Sequence, residues 1–238
     1  MKLDILAVGV HPDDVELACG GTLLKQQALG YKTGILDLTT GQLGTRGTPE
    51  QRLVEADDAA KILNVSVREN LGMEDGFFVN DKAHQLKIIE IIRKYKPDIV
   101  LCNAINDRHP DHGRSAKLVA DACFLSGLRK IETQVDGKIQ DAWRLKSIYH
   151  YIQAYYIKPD FVVDVSEFID DKMKAVFAYK SQFYDPESKE PDTFISSPQF
   201  LDFLKARSVE LGTVCGVNNA EGFTVHRPPL VKDVMQLG

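Results

Sequence analysis

The 238-residue sequence has no closely spaced cysteine pair, no long apolar run and no surplus of positive charge. Its four cysteines, Cys19, Cys102, Cys123 and Cys215, are scattered and form no CxxC. That spacing excludes a disulfide framework and a thiolate zinc site, and it fits a reducing compartment. Each cysteine reads most simply as a small buried hydrophobe. Nowhere is there the stretch of about 18 apolar residues that a membrane span needs. The N-terminus, with Lys2, Asp4 and the short run Ile5–Val10, lacks a secretory-leader pattern, so a cytoplasmic location is expected. A net charge of −5 argues against nonspecific binding to nucleic acid or anionic membrane. There is no internal repeat and no linker, so residues 1–238 are expected to form one domain.

What is present is a regular alternation. Ile5–Val10 is a continuous apolar run of the kind a buried parallel strand requires. Val15–Leu29 carries apolar residues at helical spacing and is followed by Gly30 as a C-cap. Thr33–Leu38 reads as a second strand, and Pro49 opens a helix to about Leu63. A helix over Ala83–Tyr95, a strand over Ile99–Cys102 and a helix over Gly113–Ser126 follow. Ser147–Ile152 and Phe161–Val165 look like later strands, with helices near Glu167–Tyr179 and Gln199–Leu211. Residues 39–48, 133–141 and 184–198 read as loops. The β-α-β-α order predicts an α/β fold: a Rossmann-like, mostly parallel sheet with helices on both faces.

Two motifs stand out, each placed just after a predicted strand. His11-Pro-Asp-Asp14 follows Ile5–Val10, and Arg108-His-Pro-Asp-His112 lies in the loop after Ile99–Cys102. Ligands of open parallel sheets bind outside the carboxyl ends of the strands, so two such loops are able to converge. Imidazole and carboxylate together suit zinc, and a catalytic zinc keeps three protein ligands and one open position. His11, Asp14 and His112 are assigned as ligands, one Zn2+ per chain, leaving Asp13, His109 and Asp111 for proton transfer. Taken alone, HPDD is equally a turn with an Asp-capped helix, and a lone histidine is more often structural. Two His/Asp-rich loops after two buried strands make coincidence the weaker explanation. The first strand–helix junction is not G-x-G-x-x-G, no P-loop ending follows Gly41, Gly44 and Gly47, and no G-x-S-x-G elbow occurs. Gly20-Gly21, inside the first helix, is expected to allow close packing against the sheet.

HPDD followed by HPDH about a hundred residues later resembles the PIG-L/LmbE family of zinc N-acetylglucosamine deacetylases. The resemblance extends to Leu43–Glu50, to Glu167 onward and to Ala220-Glu-Gly-Phe223. These segments resemble the bacillithiol-biosynthesis branch, whose substrate is N-acetylglucosaminyl-L-malate. Members of that branch carry a tyrosine in a late loop, a region where Phe194 and Phe200 stand here. The resemblance implies a small amino-sugar substrate, a homo-oligomer and Asp13 as general base. His109 would stabilise the oxyanion or protonate the departing amine, with Asp111 orienting it. Arg46 and Arg52 are expected to recognise the carboxylates of malate, with Arg108 either joining them or bracing the metal loop. The rival functions are a two-metal phosphoesterase using Asp107 or Asp111, and a noncatalytic zinc-binding protein.

Overall fold

The computed structural model describes residues 1–236. Seven strands form one sheet: β1 (Ile5–Gly9), β2 (Thr33–Asp37), β3 (Arg68–Asn70), β4 (Ile99–Cys102), β7 (Ser147–Tyr151), β8 (Phe161–Asp164) and β9 (Ala220–Val225). A separate hairpin, β5 (Gln134–Val135) and β6 (Lys138–Ile139), occupies the segment expected to be loop. The order across the large sheet is β3-β2-β1-β4-β7-β9-β8. Neighbours from β3 to β7 are parallel, whereas β9 runs antiparallel to both β7 and β8. The helices are α1 (Asp14–Ala28), α2 (Pro49–Ile62), α3 (Lys82–Tyr95), α4 (Pro110–Leu125), α5 (Ile169–Phe177) and α6 (Pro198–Val214). Among the described residues, no helix is long and apolar enough to cross a membrane.

The period-two alternation of β1 feeds two cores. Leu6 and Val8 pack with α3 and α4 on one face, while Ile5 and Ala7 pack with α1, α2, α5 and α6 on the other. Full burial of such side chains contributes about 1.5–3 kcal/mol each, which makes register slippage of β1 costly. β1 and β4 are neighbours, but β2 lies on the far side of β1 and β7 on the far side of β4. The order therefore reverses between β1 and β4, and a cleft opens at their carboxyl ends.

α1 is kinked at Cys19, whose φ of −142° is not helical. The kink leaves the amides of Gly21 and Thr22 to the carboxylate of Glu221 on β9, at 3.0 and 2.7 Å. Lys172 of α5 neutralises that buried carboxylate at 2.7 Å. Gly21 makes the approach possible, since a Cβ there would sit 2.9 Å from the Cβ of Val165. The expectation of close packing at Gly20-Gly21 thus holds at Gly21. Cys19, Cys102 and Cys123 are buried as expected, but Cys215, beyond the end of α6, is exposed.

Candidate metal centre

β1 ends at Gly9 and the chain turns through His11 and Pro12 into α1. Asp13 stands at the N-cap of α1 with φ 127°, a backbone conformation rare for a side-chain-bearing residue, and its carboxylate does not cap the helix. Asp14 opens the first turn. Its Oδ2 accepts from the amides of Val10 and His11 at 2.9 and 3.0 Å and from Asn103 Nδ2 at 3.0 Å. Its Oδ1 accepts from Gln153 Nε2 at 3.0 Å and lies 3.1 Å from His112 Nε2.

The second motif differs from expectation in one respect. α4 begins at Pro110, so Asp111 and His112 belong to its first turn rather than to a loop. Proline is favoured at the first helical position because its missing N–H would lack an intrahelical partner there anyway. His109 is the N-cap, and its Nδ1 accepts the amide of Asp111 at 3.3 Å. Asp111 does not orient the His109 ring through its carboxylate. That group is turned to the amide of Gly76 at 2.8 Å and to Arg114 at 2.6 Å.

The two motif histidines share a pattern. His11 Nε2 lies 2.9 Å from Asp75 Oδ1, and its Nδ1 lies 3.8 Å from Asp14. His112 Nδ1 lies 2.6 Å from Asp107 Oδ2, and its Nε2 faces Asp14. Each imidazole is held at one nitrogen by a carboxylate and presents the other to the same place, the arrangement by which outer carboxylates orient metal-binding histidines. The 3.1 Å between His112 Nε2 and Asp14 Oδ1 is close to the roughly 3.3 Å edge of a tetrahedron with bonds of about 2.0–2.1 Å. His11, His109 and His112 form one group whose nitrogens lie within 4.8 Å of one another, and His11, Asp75 and Asp111 form a second.

The electrostatics favour a cation here. Burial opposes ionisation of Asp14, but His112, His11 and the amide contacts hold its carboxyl well below the usual range. Burial likewise opposes charge on His112, but Asp14 and Asp107 at its two nitrogens push it up to about 10. A site that grips a proton between carboxylates suits a divalent cation with the same donors. Asp13 is raised to about 7, by burial first, against the pull of Arg52 and with the push of Asp14. His109 is lowered by burial and by the neighbouring His11 and His112.

A cavity of about 460 Å³ opens over this centre, with His11, Asp13, Asp14, His109 and His112 in its wall. Of the three expected substrate arginines, Arg108 is exposed at the cavity and stacks over Phe194, 4.4 Å from the ring centroid. Arg52 also lines the cavity but is buried, its Nη2 3.3 Å from Asp13 Oδ2. Arg46 lies behind the wall, bonded to Ser188 at 2.6 Å and 3.6 Å from Glu190. Sequence reasoning missed Asp75, Asn103 and Gln153. Asp75 comes from the turn after β3, where Glu74-Asp-Gly76 reads only as a turn signal.

Residues 6–123 match the family model described as PIG-L, GlcNAc-PI de-N-acetylase. The chain is 30% identical to the probable N-acetyl-alpha-D-glucosaminyl L-malate deacetylase 2 of Bacillus cereus, over 76% of this chain and 84% of that one. It is 29% identical to the diacetylchitobiose deacetylase of Thermococcus kodakarensis, over 75% and 70% of the two chains. The fold superposes on the conserved protein TT1542 of Thermus thermophilus with a TM-score of 0.87 and 37% identity, covering 98% of each chain.

Proposed function

This chain belongs to the PIG-L family, and on that premise we propose that it is a zinc-dependent amide hydrolase removing the acetyl group from an N-acetylglucosaminide. The observation that carries this reading is the pair His11 and His112, each clasped by a carboxylate and turned toward Asp14. His11, Asp14 and His112 are the proposed ligands of one ion. Zinc bound there supplies Lewis acidity, which lowers the pKa of water to about 7 and polarises an acyl oxygen.

The residues around it divide the remaining work. Asp13 accepts the proton of the attacking water and returns it to the sugar nitrogen as the C–N bond breaks, and its burial gives it the proton affinity this task needs near neutral pH. His109 is held neutral, and because its Nδ1 accepts the Asp111 amide, its proton sits on Nε2. That N–H is available to the acyl oxygen as charge develops on it. Gln153 and Asn103 fix Asp14 against rotation.

For the substrate, N-acetylglucosaminyl-L-malate is favoured by Arg108, the exposed arginine of the cavity, which has no ion-pair partner among the described residues. Guanidinium suits carboxylate recognition, and malate presents two. The test is amine release from N-acetylglucosaminyl-L-malate, N,N'-diacetylchitobiose and plain N-acetylglucosamine, with and without chelator. Zinc-dependent release is expected, with kcat/KM highest for the malate compound and that preference reduced in Arg108→Ala. No release from any glucosaminide by metal-replete protein would remove the deacetylase reading. Equal efficiency on all three would remove only the malate assignment.

A further inference from the structure

The guanidinium of Arg52 is buried in the cavity wall and faces Asp13. The Asp13 backbone is turned to φ 127°, so its side chain leaves the helix end it would ordinarily cap. Among the described residues its carboxylate has one hydrogen-bond partner, Arg52 Nη2, 3.3 Å from Oδ2. Oδ1 is left without a protein partner in the cavity wall.

The guanidinium is itself placed from two sides. Arg52 Nη2 also donates to Gln182 Oε1. Gln182 Nε2 donates to the carbonyl of Arg46 and to Ser181 Oγ, both at 2.8 Å. Ser181 is in turn tied to Glu55 of α2 through its amide at 2.8 Å and its hydroxyl at 2.7 Å. Beside Nη1 stands Gly41, with φ +70° and no side chain. A Cβ there would overlap Arg52 Nη1 and lie 3.1 Å from its Cδ. Gly41 therefore serves two needs at once: a left-handed turn, and the space through which the guanidinium reaches Asp13.

We propose that Arg52 is a positioning residue for Asp13, seated by Gln182 and Gly41, and that it aims the carboxylate rather than anchoring substrate. The assignment rests on Asp13 acting as the base in the function proposed above. A side chain in a rare backbone conformation with a single partner has little else to fix its direction. Misplacement by about 1 Å is enough to cost about 10²-fold in rate.

The experiment compares Arg52→Ala, Arg52→Lys, Gln182→Ala and Gly41→Ala in the metal-loaded full chain. Arg52→Ala is expected to lose about 10²-fold in kcat with KM and bound metal near wild type, and millimolar guanidinium should restore part of the loss. Arg52→Lys, which keeps the charge but not the fork, should recover only part of it. Gln182→Ala and Gly41→Ala should show smaller losses of the same kind. Guanidinium should not rescue Asp13→Ala. A raised KM with intact kcat in Arg52→Ala would make it a substrate anchor and overturn the proposal, as would failure of guanidinium to rescue. A second measurement does not depend on turnover: a double-mutant cycle in denaturant unfolding between Gln182→Ala and Asp13→Asn. The proposal expects non-additive effects, because the two residues meet only through Arg52. Strict additivity would overturn it even if the chain hydrolysed no glucosaminide, an outcome that would by itself refute only the deacetylase reading.

Discussion

Asp13→Ala is expected to lower kcat by about 10²–10⁴-fold while bound metal stays stoichiometric, the usual contribution of a positioned general base. Turnover within a few-fold of wild type would take Asp13 out of the mechanism. The same residue sets a pH dependence. Burial raises its carboxyl to about 7, and only the ionised form accepts a proton. In wild type kcat/KM should therefore fall about tenfold per pH unit below about 7 and level off above it. A profile flat down to about pH 5 would contradict that assignment. At this scale the sequence was legible where chemistry and spacing coincide, at His11, Asp14, His109 and His112, which do converge. It was silent on Asp75 because nothing in a turn after a polar strand marks a carboxylate as the partner of a histidine 64 residues away. It was also silent on the direction a side chain takes. Arg46 and Arg52 read alike in sequence as substrate contacts, yet Arg46 lies behind the cavity wall on Ser188 while Arg52 is in the wall with its guanidinium on Asp13.

α4 shows how an element carries a site. Its N-terminus presents His109 as cap and His112 one turn on, while Asp107, just before it, holds the His112 ring. Asp107→Asn should weaken zinc affinity by about 10–100-fold, measured by competition with a chromogenic chelator. Unchanged affinity would show that the ring needs no outer carboxylate. α1 carries the complementary constraint at its kink. Gly21→Ala drives a methyl into Val165 and toward Glu221 Oε1, 3.1 Å away. The expected cost is about 1–3 kcal/mol, read from denaturant midpoints, and a neutral effect would mean that β8 and α1 separate without strain. The parallel strands other than β3 were legible, β1 and β4 as apolar runs. β9 was not, because Ala220–Val225 includes a glycine and a glutamate, and that glutamate is buried only because Lys172 and two helix amides receive it. β3 was missed for the opposite reason: three polar residues at a sheet edge carry no hydrophobic period.

Across the whole molecule, the proposed ligands join the ends of β1 and β4, so the ion ties together segments about a hundred residues apart. An ion bound only by the folded chain stabilises it by about 2.7 kcal/mol at a free concentration about 100 times Kd. For a chain of this size, that corresponds to roughly 5–10 °C in Tm. Stripping the metal with chelator should lower Tm by about that much and zinc should restore it; an unchanged Tm would argue against a site linking the two strands. The strand order has another consequence. The proposed ligands come from the chain that follows the two central strands, whereas Arg46, Phe194 and the loops that hold them lie on segments that follow β2 and precede α6. Ion binding and the seating of the proposed base are thus written on different stretches of backbone, since Gly41 and Arg52 follow β2 and Gln182 precedes α6. A lineage, or an engineer, that exchanges the outer loops therefore alters the aim of the proposed base along with the cavity wall, while the ion's own ligands are inherited unchanged.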